Sequence, residues 1–125
     1  MYDAIIVEDS RLARLELRSQ LEQITSIQLI GEASTLEEAT TLLNENKVDL
    51  IFLDIDLPDG NGFDLLAQQV PAPKVIFTTA LAEFAMQALE KQAVDYLIKP
   101  FNIKRLKEDI SHIHEQTNIS KKTEI

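Results

Sequence analysis

Four short apolar runs each end on a reactive polar side chain: Ile5-Ile6-Val7 leads into Glu8-Asp9, Ile51-Phe52-Leu53 into Asp54, Val75-Ile76-Phe77 into Thr78-Thr79, and Tyr96-Leu97-Ile98 into Lys99. Runs of this kind read as strands buried on both faces. Residues 27–33 read as a further strand of mixed pattern. Between the runs, apolar residues recur at helical spacing: Ala13, Leu17, Leu21, Ile24; Leu36, Ala39, Leu43; Phe63, Leu66, Ala67, Val70; Leu81, Ala85, Ala88, Leu89; and Ile103, Leu106, Ile110, Ile113. Each helix thus has one face for a sheet. The alternation predicts an α/β fold of five strand-helix units, (βα)5, wound on both sides of a parallel sheet through right-handed crossovers. Ser34 followed by Glu37 reads as a capping box that starts the second helix, and Pro58-Asp59-Gly60-Asn61-Gly62 breaks the chain after the third strand. After Gln116 the pattern fades into Asn118-Ile119-Ser120-Lys121-Lys122, so 1–116 is expected to form the domain and 117–125 a linker or tail.

In a parallel sheet the carboxyl ends of the strands share one edge, and open α/β sheets bind ligands in the crevice at that edge where strand order reverses. Three carboxylates, a hydroxyl and an ammonium would converge there. Like charges at such spacing repel by several kcal/mol unless a cation neutralises them, so the cluster is costly as mere structure. It is therefore the candidate active site.

Composition narrows the class. At 125 residues and 14.1 kDa, one domain can bury a core without disulfides or structural metal. Cysteine is absent, no stretch approaches membrane-spanning length, and the N-terminus lacks signal-peptide features, which predicts a soluble cytoplasmic protein. Twenty-one acidic against twelve basic residues give a net charge of -9, which disfavours direct contact with nucleic acid or anionic lipid.

The motifs Val7-Glu8-Asp9-Ser10, Leu53-Asp54-Ile55-Asp56-Leu57-Pro58-Asp59-Gly60, Thr79-Ala80 and Tyr96-Leu97-Ile98-Lys99-Pro100-Phe101 occur in one order at fitting intervals. Together they closely resemble the receiver domain of two-component response regulators, over nearly the whole chain. The stretch from Thr78-Thr79-Ala80 through Glu83-Phe84-Ala85 to Tyr96-Leu97 is most similar to receivers joined to LytTR-type DNA-binding domains. The resemblance implies a flavodoxin-like strand order 2-1-3-4-5 and names Asp54 as phosphoacceptor from a sensor histidine kinase. It implies Mg²⁺ held directly by Asp9 and Asp54, through water by Glu8, and by the backbone carbonyl of Asp56. Thr79 and Lys99 would contact the phosphoryl group, and Tyr96 would be the switch aromatic, with a cis Lys99-Pro100 bond aiming the ammonium inward. The face formed by the helix at 81–91, the last strand and the helix at 104–115 is expected to carry homodimer or effector contacts, with transcription as output. Such a domain is not an enzyme on a separate substrate; it catalyses only its own phosphorylation and dephosphorylation.

Elementary chemistry supports these assignments beside blander ones. Asp54, at the end of the central strand, can act as an in-line nucleophile and yield an acyl phosphate, although aspartate after a strand is also a common turn residue. Glu8 and Asp9 suit Mg²⁺, a hard cation that takes oxygen ligands, but either could cap the first helix, as Ser10 could. A strand-end lysine is usually solvated; beside Mg²⁺, Lys99 would neutralise charge on the transferring phosphoryl oxygens. Thr78 and Thr79 compete for the hydroxyl role, because period-two alternation cannot decide between two buried faces; the small Ala80 favours Thr79. Tyr96 is otherwise an ordinary half-buried strand aromatic.

Competing functions use parts of the same pattern. Asp54-Ile55-Asp56 matches the Asp-x-Asp core of haloacid-dehalogenase-like phosphatases, but that family places it on the first strand, and Pro58 stands where Thr or Val is preferred. A flavodoxin would need a hydroxyl- and glycine-rich phosphate loop where Glu8-Asp9-Ser10-Arg11 stands. A phosphorylation-independent interaction module would tolerate Asp54→Asn without consequence. His112 and His114, two apart on a helix, face different ways and make no joint metal site, and Gly60-Asn61-Gly62 lacks the Lys-Ser/Thr ending of a P-loop.

Overall fold

The computed structural model describes residues 1–66, 73–80, 95–99 and 102–123. Five strands, β1 (Tyr2–Val7), β2 (Ile27–Ala33), β3 (Leu50–Asp54), β4 (Lys74–Thr79) and β5 (Asp95–Ile98), form one parallel sheet in the order β2-β1-β3-β4-β5. Helices α1 (Arg11–Leu21), α2 (Leu36–Glu45) and α3 (Gly62–Leu66) and a C-terminal helix (Ile103–Thr123) complete the described elements. The doubly wound α/β reading is therefore correct, including the order 2-1-3-4-5. The helix expected at 81–91 lies outside the described residues, as do 67–72 beyond α3.

Alternation along each strand divides the core in two. Ala4, Ile6, Phe52, Ile76 and Leu97 face α1 and the C-terminal helix, where they meet Leu17, Leu21, Leu106, Ile110 and Ile113. Ile5, Val7, Ile51, Leu53, Val75 and Phe77 face the other way, toward Ala39 of α2 and Leu65 of α3. Covering both faces is what makes these strands read as unbroken apolar runs. Phe52 and Phe77, on opposite faces, are each almost wholly buried, and truncating either to alanine is a change that removes about 3–5 kcal/mol.

Three local features depart from the sequence reading. Thr35, not Ser34, is the N-cap of α2: its Oγ1 accepts from the Glu38 amide at 3.1 Å, and Glu38 reaches back to the Ser34 amide at 3.1 Å, so the capping box is shifted by one residue. The stretch after β3 is a small hairpin in which Asp56–Leu57 pairs antiparallel with Gly60–Asn61. The C-terminal helix runs past Gln116 to Thr123, since an established helix adds residues without a new nucleation cost even where no apolar stripe continues. Among the described residues no helix is long and apolar enough to cross a membrane.

In β2 the register against β1 slips: Ala4 pairs with Leu29 but Ile5 pairs with Gly31, leaving Ile30 as an extra residue. A one-residue bulge exchanges the faces of everything beyond it. Glu32 consequently lies opposite Ile6, on the side of the sheet that α1 covers.

Candidate functional site

The carboxyl ends of β1, β3, β4 and β5 meet at one edge, as parallel pairing requires. Glu8 follows β1, Asp54 ends β3, Thr79 ends β4, and Lys99 follows β5. Carboxylate oxygens of Glu8, Asp9 and Asp54 lie within 4.8 Å of one another. Glu8 and Asp54 are buried, at 4% and 6% exposure, while Asp9 is open to solvent. At that separation a like-charged pair repels by about 3 kcal/mol for an effective dielectric constant near about 20.

The Lys99 ammonium relieves part of this repulsion. It pairs closely with Glu8 Oε1 and stands 3.2 Å from Asp54 Oδ2. Burial alone pulls its pKa down, but the hydrogen bond it donates to Glu8 and the charges of Asp54 and Glu8 outweigh it and hold the ammonium above the ordinary lysine range. Its backbone is tied in as well, the Lys99 amide donating to the Thr79 carbonyl at 2.7 Å. Three carboxylates and one ammonium leave two net negative charges in an all-oxygen donor set, which fits a hard divalent cation.

The capping alternatives are largely answered. Ser10 Oγ, not a carboxylate, accepts from the Ala13 amide and caps α1, so Glu8 and Asp9 are not needed there. Glu8 Oε2 instead accepts from the Ser10 amide at 3.2 Å, which turns its other oxygen toward Lys99. Asp54 Oδ1 accepts from the Asp56 amide at 3.1 Å, a local turn contact that leaves Oδ2 facing the ammonium. The Asp56 side chain is exposed, and the carboxylate group comprises Glu8, Asp9 and Asp54 without it.

Both threonines of β4 are buried. Thr78 pairs with Asp54 across the ladder and continues the Ile76 face, toward α1, whereas Thr79 continues the Phe77 face. The Tyr96 backbone pairs with Phe77 in the sheet. The switch role of its side chain and the geometry of the Lys99-Pro100 bond lie outside the described residues.

Two residues at the site escaped the sequence reading. Arg14 Nη1 donates to the Glu8 carbonyl at 2.8 Å and reaches the Asp9 carbonyl at 3.4 Å. Asp59 accepts from the amides of Leu36 at 2.8 Å and Glu37 at 3.1 Å, strapping the loop after Asp54 to the start of α2. The Asp59 contact has no local sequence signal, because it joins segments 22 to 23 residues apart, whereas the Arg14 contact is local, reaching back five to six residues into the turn before α1.

A five-stranded parallel sheet with this acidic edge and a facing lysine defines a receiver-type fold. The chain belongs to the response regulator receiver domain family, whose model matches residues 4–111. It is 38% identical over 130 residues to the sensory transduction protein LytT of Bacillus anthracis, covering 100% of this chain and 53% of that protein. It is also 38% identical over 113 residues to the transcriptional regulatory protein LytR of Staphylococcus aureus (strain N315), covering 88% of this chain and 46% of that one. The chain thus spans about half the length of the curated relatives it matches. Among solved structures, the response regulatory domain of protein mrkE from Klebsiella pneumoniae superposes with a TM-score of 0.79 at 32% identity, covering 96% of this chain and 98% of that one. The REC domain of AraT from Geobacillus stearothermophilus gives 0.83 at 25% identity, with the same coverage of 96% and 98%.

Proposed function

We propose that Asp54 accepts a phosphoryl group from a phosphohistidine on a sensor histidine kinase, and that the modified domain controls a downstream output, transcription. The observation that carries this reading is the buried Asp54 carboxylate, 3.2 Å from Lys99 and grouped with Glu8 and Asp9. An Asp54 oxygen attacks phosphorus in line, the P–N bond to the donor imidazole breaks, and the imidazole leaves with that electron pair. The product is an acyl phosphate on Asp54.

Asp9 and Asp54 would hold Mg²⁺ directly, Glu8 through water and Asp56 through its backbone carbonyl. Bound there, the cation supplies charge neutralisation and orients the phosphoryl oxygens. Lys99, already protonated and held against both buried carboxylates, follows the charge onto the phosphoryl group. The Thr79 hydroxyl takes a phosphoryl oxygen, and Tyr96 responds by rotating.

The new group carries about -1.5 to -2 charge. It biases a pre-existing two-state equilibrium that is read on the face formed by 81–91, β5 and the C-terminal helix, where a homodimer or effector contact forms. The name of the LytR relative, a transcriptional regulatory protein, supports transcription as the output, and a cytoplasmic location goes with that role.

The test is intact-mass spectrometry after incubation with Mg²⁺ and acetyl phosphate. One added phosphoryl group is expected, absent in Asp54→Asn and with a chelator. Steady release of inorganic phosphate without an adduct would instead identify a phosphatase. Neither adduct nor turnover, with a histidine kinase also supplied as donor, would leave a phosphorylation-independent interaction module.

A further inference from the structure

The geometry points to Arg14 as a positioning residue for the acidic turn: its guanidinium, anchored by Glu32 on the edge strand β2, fixes the Glu8-Asp9 backbone so that both carboxylates face Asp54. This rests on the proposed cation-assisted chemistry. Arg14 Nη1 spans the carbonyls of Glu8 and Asp9, at 2.8 and 3.4 Å. Its Nε lies 3.8 Å from Glu32 Oε1, and Arg18 pairs closely with Glu32 Oε2. Glu32 Oε1 is itself shielded from solvent and has no hydrogen-bond partner, so its charge is balanced through the Arg14 and Arg18 ion pairs.

The assembly depends on the bulge at Ile30. Were the pairing to continue regularly past Ala4–Leu29, Glu32 would fall opposite Val7, on the α2 side of the sheet, and could not face Arg14. A bulge that places one carboxylate beneath α1 has a use if that carboxylate holds a guanidinium over the turn. The ladder also continues into this turn, the Glu8 amide donating to the Ala33 carbonyl at 2.9 Å, so the β2 edge grips the turn through both backbone and side chain.

Two roles for Arg14 predict opposite signs. As a mere charge near three carboxylates it would weaken cation binding, and its removal would tighten it. As a clamp on two carbonyls it orients ligands, and outer contacts of that kind change metal affinity by about tenfold or more when lost. Lysine offers a point charge rather than a planar fork, so it can serve one carbonyl but not two together with Glu32.

The test has two readouts on the wild type, Arg14→Ala, Arg14→Lys and Glu32→Gln. Hydrogen exchange of the Asp9 and Ser10 amides without metal is expected to rise in Arg14→Ala and Glu32→Gln, while the β3 amides stay protected. Calorimetric titration with Mg²⁺ alone is expected to show affinity about tenfold weaker in Arg14→Ala, with Arg14→Lys in between. Unchanged exchange, or equal or tighter Mg²⁺ binding, in both Arg14→Ala and Glu32→Gln would overturn the inference. If the wild type itself takes up no Mg²⁺, the proposed function fails, and the exchange data alone decide whether Arg14 orders the turn.

Discussion

Lys99 Nζ stands 3.2 Å from Asp54 Oδ2 across 45 residues of sequence, and the same ammonium pairs with Glu8. One cation therefore joins the ends of three different strands' loops before any phosphoryl group or metal arrives. Parallel pairing of β1, β3, β4 and β5 makes this possible, because it brings all four carboxyl ends to one edge. The ammonium offsets repulsion between the buried carboxylates.

Replacing Lys99 with methionine strips the buried carboxylates of their partner. Leaving a buried charge unpaired costs about 3–5 kcal/mol, and the partial exposure of Lys99 brings the expected loss to about 2 kcal/mol in urea unfolding without metal. Added Mg²⁺ should recover part of it. The pH sign follows from the raised pKa: the stabilisation is present below the ordinary lysine range and disappears as pH rises through the higher folded value. Wild-type stability should therefore fall toward Lys99→Met above about pH 10, and parallel curves from pH 7 to 11 would show that the pair contributes nothing.

Asp9 is the exposed member of the carboxylate group, so Asp9→Asn should change the metal-free melting temperature little. It should abolish the thermal stabilisation that Mg²⁺ gives the wild type. A ligand at 100 times its Kd stabilises by about 2.7 kcal/mol, a shift of several degrees that differential scanning fluorimetry resolves. Equal Mg²⁺-induced shifts in both proteins would remove Asp9 from the ligand set.

The sheet and its acidic edge were legible because apolar runs ending on Glu8-Asp9, Asp54, Thr79 and Lys99 carry their own periodicity and punctuation. The order of Thr78 and Thr79 was not, since both faces of β4 are buried and alternation has no polar side to mark. The start of α2 was ambiguous for another reason: Ser34-x-x-Glu37 and Thr35-x-x-Glu38 are equally good capping boxes. Asp59 favours the second from 22 to 23 residues away: it takes the Leu36 and Glu37 amides while Thr35 takes that of Glu38, whereas a Ser34 cap would compete with Asp59 for the Glu37 amide. The Ile30 bulge and the Arg14–Glu32 contact are likewise products of strand pairing that no local pattern records.

The Asp59 strap makes its own prediction. Hydrogen bonding from the Leu36 amide, with help from Glu37, holds the Asp59 carboxyl below the usual carboxylate range despite some desolvation. A lowered folded pKa means a contribution present above the ordinary value and lost as pH falls through the folded one. Asp59→Ala should thus melt below the wild type at pH 7, with the gap closing below about pH 4. Amide exchange at Leu36 and Glu37 should rise in the same variant; a gap that persists at low pH would mean the residue acts through something other than its charge.

The two glycines that bracket Asn61 should respond differently to alanine. Gly60 has a φ of 151°, which a side chain resists, but its new Cβ would meet only the flexible end of Leu36 at 2.8 Å. That change should cost about 1 kcal/mol and leave Asp54 in place. At Gly62 a Cβ would lie 2.5 Å from the carbonyl oxygen of Asp54 and 3.2 Å from Ile55 Cα, and neither backbone atom can swing aside. The Gly62 amide also donates to the Ile55 carbonyl at 2.7 Å, so moving α3 away breaks a bond that sets the loop. Overpacking of this kind costs about 1–3 kcal/mol, and here it also displaces the residue proposed to take the phosphoryl group. Gly62→Ala should therefore slow acetyl-phosphate labelling far more than Gly60→Ala does at matched folded fraction, and equal labelling rates in the two variants would show that the Asp54 backbone tolerates the shift.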